Sequence, residues 1–336
     1  MKEAILWEAR EEERVRCKLC AHRCLIKPGD VGVCYVRKNE GGRLFTMVYG
    51  RVVSANLDPI EKKPLFHFLP GTGSFSVAAV GCNFACEFCQ NADISQMPRN
   101  EGRIVGHELP PEEIVRQAKT SGAASIAYTY TEPTIFFEYA LDTARLATAA
   151  GLKNVFVTNG YMTEEALETI GSDLHAANVD LKAFTREFYR RLCQARLEPV
   201  KETIVRMKAR GVWVEVTTLL IPGENDGEEE LKALAGWLAG VGADIPWHIS
   251  RYYPRYRYTK AEPTPTASIQ QAREIGRAAG LLYVYAGNLW GDDGEKTYCH
   301  QCGALLIDRT GYTIRANRLE GGACPKCRTP LAGEGV

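Results

Sequence analysis

A chain of 336 residues has room for a full enzyme core and one or two small appended modules, because single cores stop growing near about 250 residues. Its 41 basic and 41 acidic residues cancel, which argues against a broad nucleic-acid footprint or a polybasic membrane anchor, both of which need surplus Lys and Arg. No apolar run approaches bilayer length and the charged start MKEAILWEAREEERVR is unlike a signal peptide, so the expected location is the cytoplasm.

The first chemical feature along the chain is Cys17-x2-Cys20-x3-Cys24-x9-Cys34, with His22 inside it. Clustered thiols in a reducing compartment indicate metal rather than disulfides, and four thiolates suit either zinc or an iron–sulfur cluster. Residues 1–70 are therefore expected to form a cysteine-rich metal-binding segment. Next, VGCNFACEFCQN supplies Cys82, Cys86 and Cys89 at C-x3-C-x2-C spacing, with Phe88 directly before the last. A 4Fe-4S cluster usually takes four thiolates, so a loop offering three leaves one iron open to another ligand. A structural zinc site would want a fourth ligand close by, and neither Cys nor His follows Cys89 until His107.

From there to about residue 290, apolar runs of strand length alternate with amphipathic helical segments. Strands are expected at 74–80, 124–130, 154–159, 176–182, 212–221 and 246–250. Between them, PPEEIVRQAKTSG opens with prolines and acids and closes on Gly122; EPVKETIVRMKARG has Pro199 near its start and stops at Gly211; a third helix runs from Thr266 to Ala279 and ends at Gly280. Repeated βα units predict an α/β fold with a parallel sheet and ligands at the carboxyl ends of its strands.

Cys193 stands alone and is expected either as an inert packing thiol or as a group near the active pocket. The segment HISRYYPRYRY offers His248 and Arg251 as catalytic candidates at the last strand end, the other reading being an ordinary surface loop. In the carboxyl-terminal module, residues 293–336, Cys299-x2-Cys302 and Cys324-x2-Cys327 flank LLIDRTGYTIRA, which reads as a hairpin turning near Gly311. This pattern resembles a zinc ribbon, with a rubredoxin-like iron as the alternative.

The three-cysteine loop resembles that of the radical S-adenosylmethionine (radical SAM) superfamily, and residues 70–290 are similar to its pyruvate formate-lyase activating enzymes. The resemblance implies a partial (β/α)6 TIM-like barrel over residues 71–292. It also implies a 4Fe-4S cluster on Cys82, Cys86 and Cys89, with SAM on the open iron. Reductive cleavage would then give a 5'-deoxyadenosyl radical that abstracts hydrogen from a substrate.

Glu132 and Pro133 match the family's Gly-Gly-Glu-Pro, its glycines replaced by Tyr130 and Thr131. Thr158, Asn159 and Gly160 match Thr-Asn-Gly, while Asp180, Leu181 and Lys182 match Asp-Leu-Lys. By resemblance, Glu132, Thr158, Asn159, Asp180 and Lys182 hold SAM, and a ferredoxin or flavodoxin donates the electron. The target is a glycine on a protein partner or, alternatively, a small molecule or peptide. The whole arrangement is similar to the AmmeMemoRadiSam enzymes, which implies a Memo-type partner. An iron–sulfur electron relay and a zinc-ribbon binding protein are the readings from other classes.

Overall fold

The computed structural model describes residues 1–289 and 293–336; the expected boundary at residue 292 lies outside them. Its centre is an eight-stranded sheet of β1 (Ser54–Pro59), β2 (Gly73–Ala78), β3 (Ser125–Tyr128), β4 (Lys153–Thr158), β5 (Ala176–Asp180), β6 (Trp213–Leu220), β7 (Trp247–Arg251) and β8 (Val284–Gly287). The strands lie in chain order, β2 to β8 parallel and β1 antiparallel at the edge. Edge strands β1 and β8 do not pair with each other, so the barrel is partial.

The sheet carries one parallel strand beyond the six expected. That strand, β8, has only four residues, too few to show a period in sequence, and its pairing with β7 defines it. At the other edge, β1 draws part of the amino-terminal segment into the central sheet.

Among the described residues, the longer helices between the parallel strands are α1 (Pro111–Thr120), α2 (Phe137–Ala149), α3 (Glu164–Ile170), α4 (Leu197–Ala209), α5 (Glu228–Val241) and α6 (Thr266–Ala278). Helix α1 shows why the sequence signals worked. Pro111 occupies its first turn beside Glu112 and Glu113, Ile114, Val115 and Ala118 are buried, and Gly122 adopts φ +72° just past its end. Before α4, the chain makes a wide π-type turn at Tyr189–Cys193.

Two small antiparallel sheets carry the amino-terminal cysteines. The carboxyl-terminal strands Thr297–Tyr298, Leu305–Thr310 and Thr313–Asn317 form a third, with the hairpin at Gly311. This ribbon is bound to the barrel through Phe66 and His67. The Glu215 carboxylate, fully buried on β6, accepts both their backbone amides at 3.0 and 2.8 Å and also meets His248 Nε2 at 2.6 Å. From the ribbon, Arg309 donates to the Phe66 carbonyl at 2.6 Å and stacks over the Phe66 ring. Among the described residues, no helix is long and apolar enough to cross a membrane.

Candidate active site

The three-cysteine loop leaves the carboxyl end of β2 and is pinned from below by the π-type turn. The amides of Ala85 and Glu87 donate to the carbonyls of Cys193 and Leu192, both at 3.0 Å. Around the thiols, Cys82 Sγ accepts from the Phe84 amide at 3.4 Å and is reached by Asn159 Nδ2 at 3.8 Å, while Cys89 Sγ meets Ser95 Oγ at 3.1 Å. Burial raises the Cys82 and Cys89 thiols above their ordinary range; Cys86 is raised first by its contact with the Cys193 thiol and then by burial. A loop that keeps its thiols protonated when bare gives up protons as metal binds.

The neighbouring strand ends converge on the same space. Cys82, Cys86, Cys89, Glu132, Thr158, Asn159, Asp180 and Lys182 line one cavity of about 410 Å³. Glu132 is almost fully buried and spends both oxygens on its own chain. One accepts from the Thr134 amide, the Thr134 hydroxyl and Thr158 Oγ1, and the other from the Asn159 amide at 2.8 Å. Lys182 Nζ donates to Asp180 Oδ2 at 3.0 Å. Desolvation alone would lower the Lys182 pKa, but Asp180, Cys86 and Cys193 together hold it well above the usual lysine range.

Tyr130 adopts φ +63°, the left-handed conformation favoured by glycine, where the family motif has glycine. Surrounding contacts hold the strain: Asn91 Nδ2 donates to its carbonyl at 2.8 Å, Thr131 Oγ1 bonds the Ala79 carbonyl at 2.7 Å, and the Tyr130 hydroxyl bonds Asp58.

The other candidates fall around this cavity rather than in it. His248 is buried within β7, bonded to Glu215, and lines a second cavity of about 910 Å³ between the barrel and the ribbon. Arg251 ends β7, and its Nε donates to the Thr264 carbonyl at 2.7 Å. Cys193 is fully buried beneath the three-cysteine loop.

Sequence reasoning missed Lys62, Thr217, Ser250 and Tyr312, which line both cavities and form their shared wall. Thr217 stands in register between Asp180 and His248, its Oγ1 buried without a partner. A signal for it existed: Glu215 and Thr217 stand two residues apart on the strand, so they share the face turned into the barrel, while Thr218 lies on the opposite face. No comparable signal marks Tyr312, which sits with Gly311 in the ribbon turn.

The ribbon thiols form a preorganised metal-ligand group. Cys299 and Cys327 lie 3.5 Å apart, Cys302 and Cys324 lie 3.6 Å apart, and all four sulfurs lie within 4.8 Å of one another. At the other end of the chain, Cys17, Cys20, Cys24 and Cys34 line one small void of about 20 Å³.

A partial parallel barrel with a three-thiol loop at the carboxyl edge defines a barrel enzyme with a metal-ligand loop at its mouth. The Radical SAM superfamily description matches residues 77–235. The chain is 45% identical to the uncharacterized protein MJ0808 of Methanocaldococcus jannaschii over 95% of each chain. It is 26% identical to that organism's putative glycyl-radical enzyme activating enzyme MJ1227, over 62% of this chain and 86% of that protein. In fold it is similar to a radical SAM methyltransferase from Sphaerobacter thermophilus, with a TM-score of 0.51 and 17% identity over 65% of this chain and 67% of that one.

Residues 77–235 carry a radical SAM superfamily domain, and the chain is an enzyme of that class. The residues present fit the cofactors this implies: three thiols and the partnerless Thr217 hydroxyl line one cavity.

Proposed function

We propose that this enzyme reductively cleaves SAM at the 410 Å³ cavity and directs the resulting radical into the adjoining 910 Å³ cavity, where the substrate is held. The observation that carries this reading is the shared wall of Lys62, Thr217, Ser250 and Tyr312 between a three-thiol site and a chamber of substrate size. A 4Fe-4S cluster on Cys82, Cys86 and Cys89 would supply an electron to SAM and release a 5'-deoxyadenosyl radical.

The chain's own residues have separate tasks. Asn159 orients Cys82, Asp180 and Lys182 present paired charges to the bound methionine and nucleoside, and Glu132 fixes the backbone between Thr158 and Asn159. Likeness to MJ1227 supports a glycine on a protein partner as the target. The size of the larger cavity, lined by aromatic residues and charges of both signs, favours a second reading in which a small molecule or short peptide is modified. The order of cysteine segment, barrel and ribbon supports the AmmeMemoRadiSam type with its Memo-type partner. Zinc suits the ribbon thiols, whose spacing is that of a mononuclear tetrahedral site.

The test is anaerobic. Reconstituted protein is given SAM with dithionite, or with flavodoxin or ferredoxin and its reductase, and assayed for 5'-deoxyadenosine and methionine. Alanine at Cys82, Cys86 or Cys89 should abolish both products. Intact cluster with no product under any donor would overturn the proposal.

A further inference from the structure

The two four-cysteine groups of this chain differ in a way their sequence spacing does not show. Four thiolates about 2.3 Å from one zinc ion must lie roughly 3.8 Å from one another. The ribbon sulfurs have that spacing. Among the described residues, the ribbon quartet is the group of potential metal ligands gathered within 4.8 Å. Neither the amino-terminal quartet nor the radical SAM trio is drawn together so closely, although each lines a common space. By this measure the amino-terminal thiols resemble the trio, which serves a polynuclear cluster.

A second observation points to an anionic group in the same place. Arg37 is 1% exposed and lines the void with the four cysteines. Its terminal nitrogens pair with Glu138 at 2.9 and 3.0 Å, but its Nε is buried without a partner. An iron–sulfur core with four thiolates carries net negative charge, which a buried guanidinium N–H stabilises.

The two cysteine loops are also packed directly together. His22, between Cys20 and Cys24, meets the carbonyl of Asn83 at 2.8 Å, and Asn83 follows Cys82 in the chain. The side chain of Asn83 accepts from Asn159 Nδ2 at 2.7 Å, the same nitrogen that reaches Cys82. The ring of Tyr161 bridges His22 and Phe84, with centroids at 4.8 and 5.0 Å. At Gly81, φ +108°, a Cβ would lie 2.8 Å from Val36 and 3.4 Å from the Cys34 carbonyl, so the loops leave no room for a side chain between them.

We propose that Cys17, Cys20, Cys24 and Cys34 hold a second iron–sulfur cluster, which passes single electrons to the cluster on Cys82, Cys86 and Cys89. The relay half of this rests on the radical SAM reading above. Each transfer moves one electron from a flavodoxin or ferredoxin to the amino-terminal cluster and then on to the second, leaving the first reoxidised, with no proton moved.

The deciding experiment uses the full chain with Cys82→Ala, Cys86→Ala and Cys89→Ala combined, reconstituted anaerobically with iron and sulfide. It should retain about four irons and four sulfides per chain and give a reduced-cluster EPR signal after dithionite. Zinc at both quartets with no iron would overturn the proposal. Should that variant fail to fold, Mössbauer and metal analysis of the wild type decide between about eight irons per chain and about four, the lower count overturning the second cluster. For the relay, Cys20→Ser with Cys24→Ser should lower the ratio of flavodoxin-driven to dithionite-driven SAM cleavage by roughly tenfold, and an unchanged ratio would overturn it. Absence of 5'-deoxyadenosine from the wild type would instead sink the radical SAM reading and leave the iron count standing.

Discussion

Glu132 holds Asn159 in place: its carboxylate accepts the Asn159 backbone amide at 2.8 Å, and from that position the Asn159 side chain reaches Cys82 Sγ at 3.8 Å. The acid that follows β3 thus acts on Cys82, the proposed cluster ligand, through the next strand end. In Glu132→Gln, an NH2 group would face backbone and hydroxyl donors inside a buried site. The expected cost is about 1–3 kcal/mol of stability and a 10- to 100-fold loss in SAM cleavage. Thermal melts and a 5'-deoxyadenosine assay check the two effects, and wild-type turnover would contradict the bracing role.

Thr217 offers a contrasting case, because its buried hydroxyl has no protein partner. Thr217→Val should leave the fold as stable as the wild type or raise it by up to about 1 kcal/mol, since no internal hydrogen bond is lost. If the hydroxyl meets SAM or substrate at the shared wall, ligand affinity should fall by roughly 3- to 10-fold. Equilibrium binding beside a melting curve separates the outcomes, and unchanged affinity for both ligands would remove Thr217 from the site.

Metal removal should act on the junction between the ribbon and the barrel. Phe66, Tyr283, Tyr285, Leu306 and Ile307 form one buried cluster with Cys299 and Cys324. Stripping the ribbon metal should lower the melting temperature by roughly 5–10 °C and open Tyr283, Tyr285 and the hairpin to hydrogen exchange. Unchanged protection at those residues would show that the apolar contacts hold the ribbon without metal.

Acid should loosen the same junction. His67 is fully buried, bonded through Nδ1 to the Ala332 carbonyl and through Nε2 to the Tyr285 hydroxyl, and burial lowers its pKa to about 4. Unfolded, the imidazole has its ordinary pKa near 6.5, so below that pH the unfolded chain binds the proton that the folded chain refuses. Stability is therefore fully present above about pH 6.5, is lost as pH falls toward about 4, and drops by about 2 kcal/mol between pH 7.5 and 5. His67→Gln should flatten that slope in denaturant melts across this range, and an unaltered slope would count against His67.

The comparison of sequence with structure separates local signals from long-range ones. The C-x3-C-x2-C loop, the acid and amide residues at the strand ends, and the Gly311 hairpin are short patterns whose meaning lies in adjacent residues, and all were legible. The four-residue strand β8 and the edge strand β1 were not, because each is defined by its pairing with a neighbouring strand rather than by a periodic pattern of its own. The positions of His248 and Cys193 were also undecided in sequence: one is buried against Glu215, the other beneath the three-cysteine loop.

What the amino-acid order determined alone was chemistry carried by spacing: three thiols on one loop, two further thiol quartets, and repeated βα units. Tertiary structure decided which groups meet. It gathered Cys82, Glu132, Asn159 and Asp180 around one cavity, made Tyr312 of the ribbon part of its wall, and drew the four ribbon sulfurs within 4.8 Å of one another. The physical reason is that a turn or ligand loop is governed by neighbours along the chain. A cavity wall and a sulfur-to-sulfur distance depend on packing between segments separated by tens to hundreds of residues, whose relative placement only the folded core fixes.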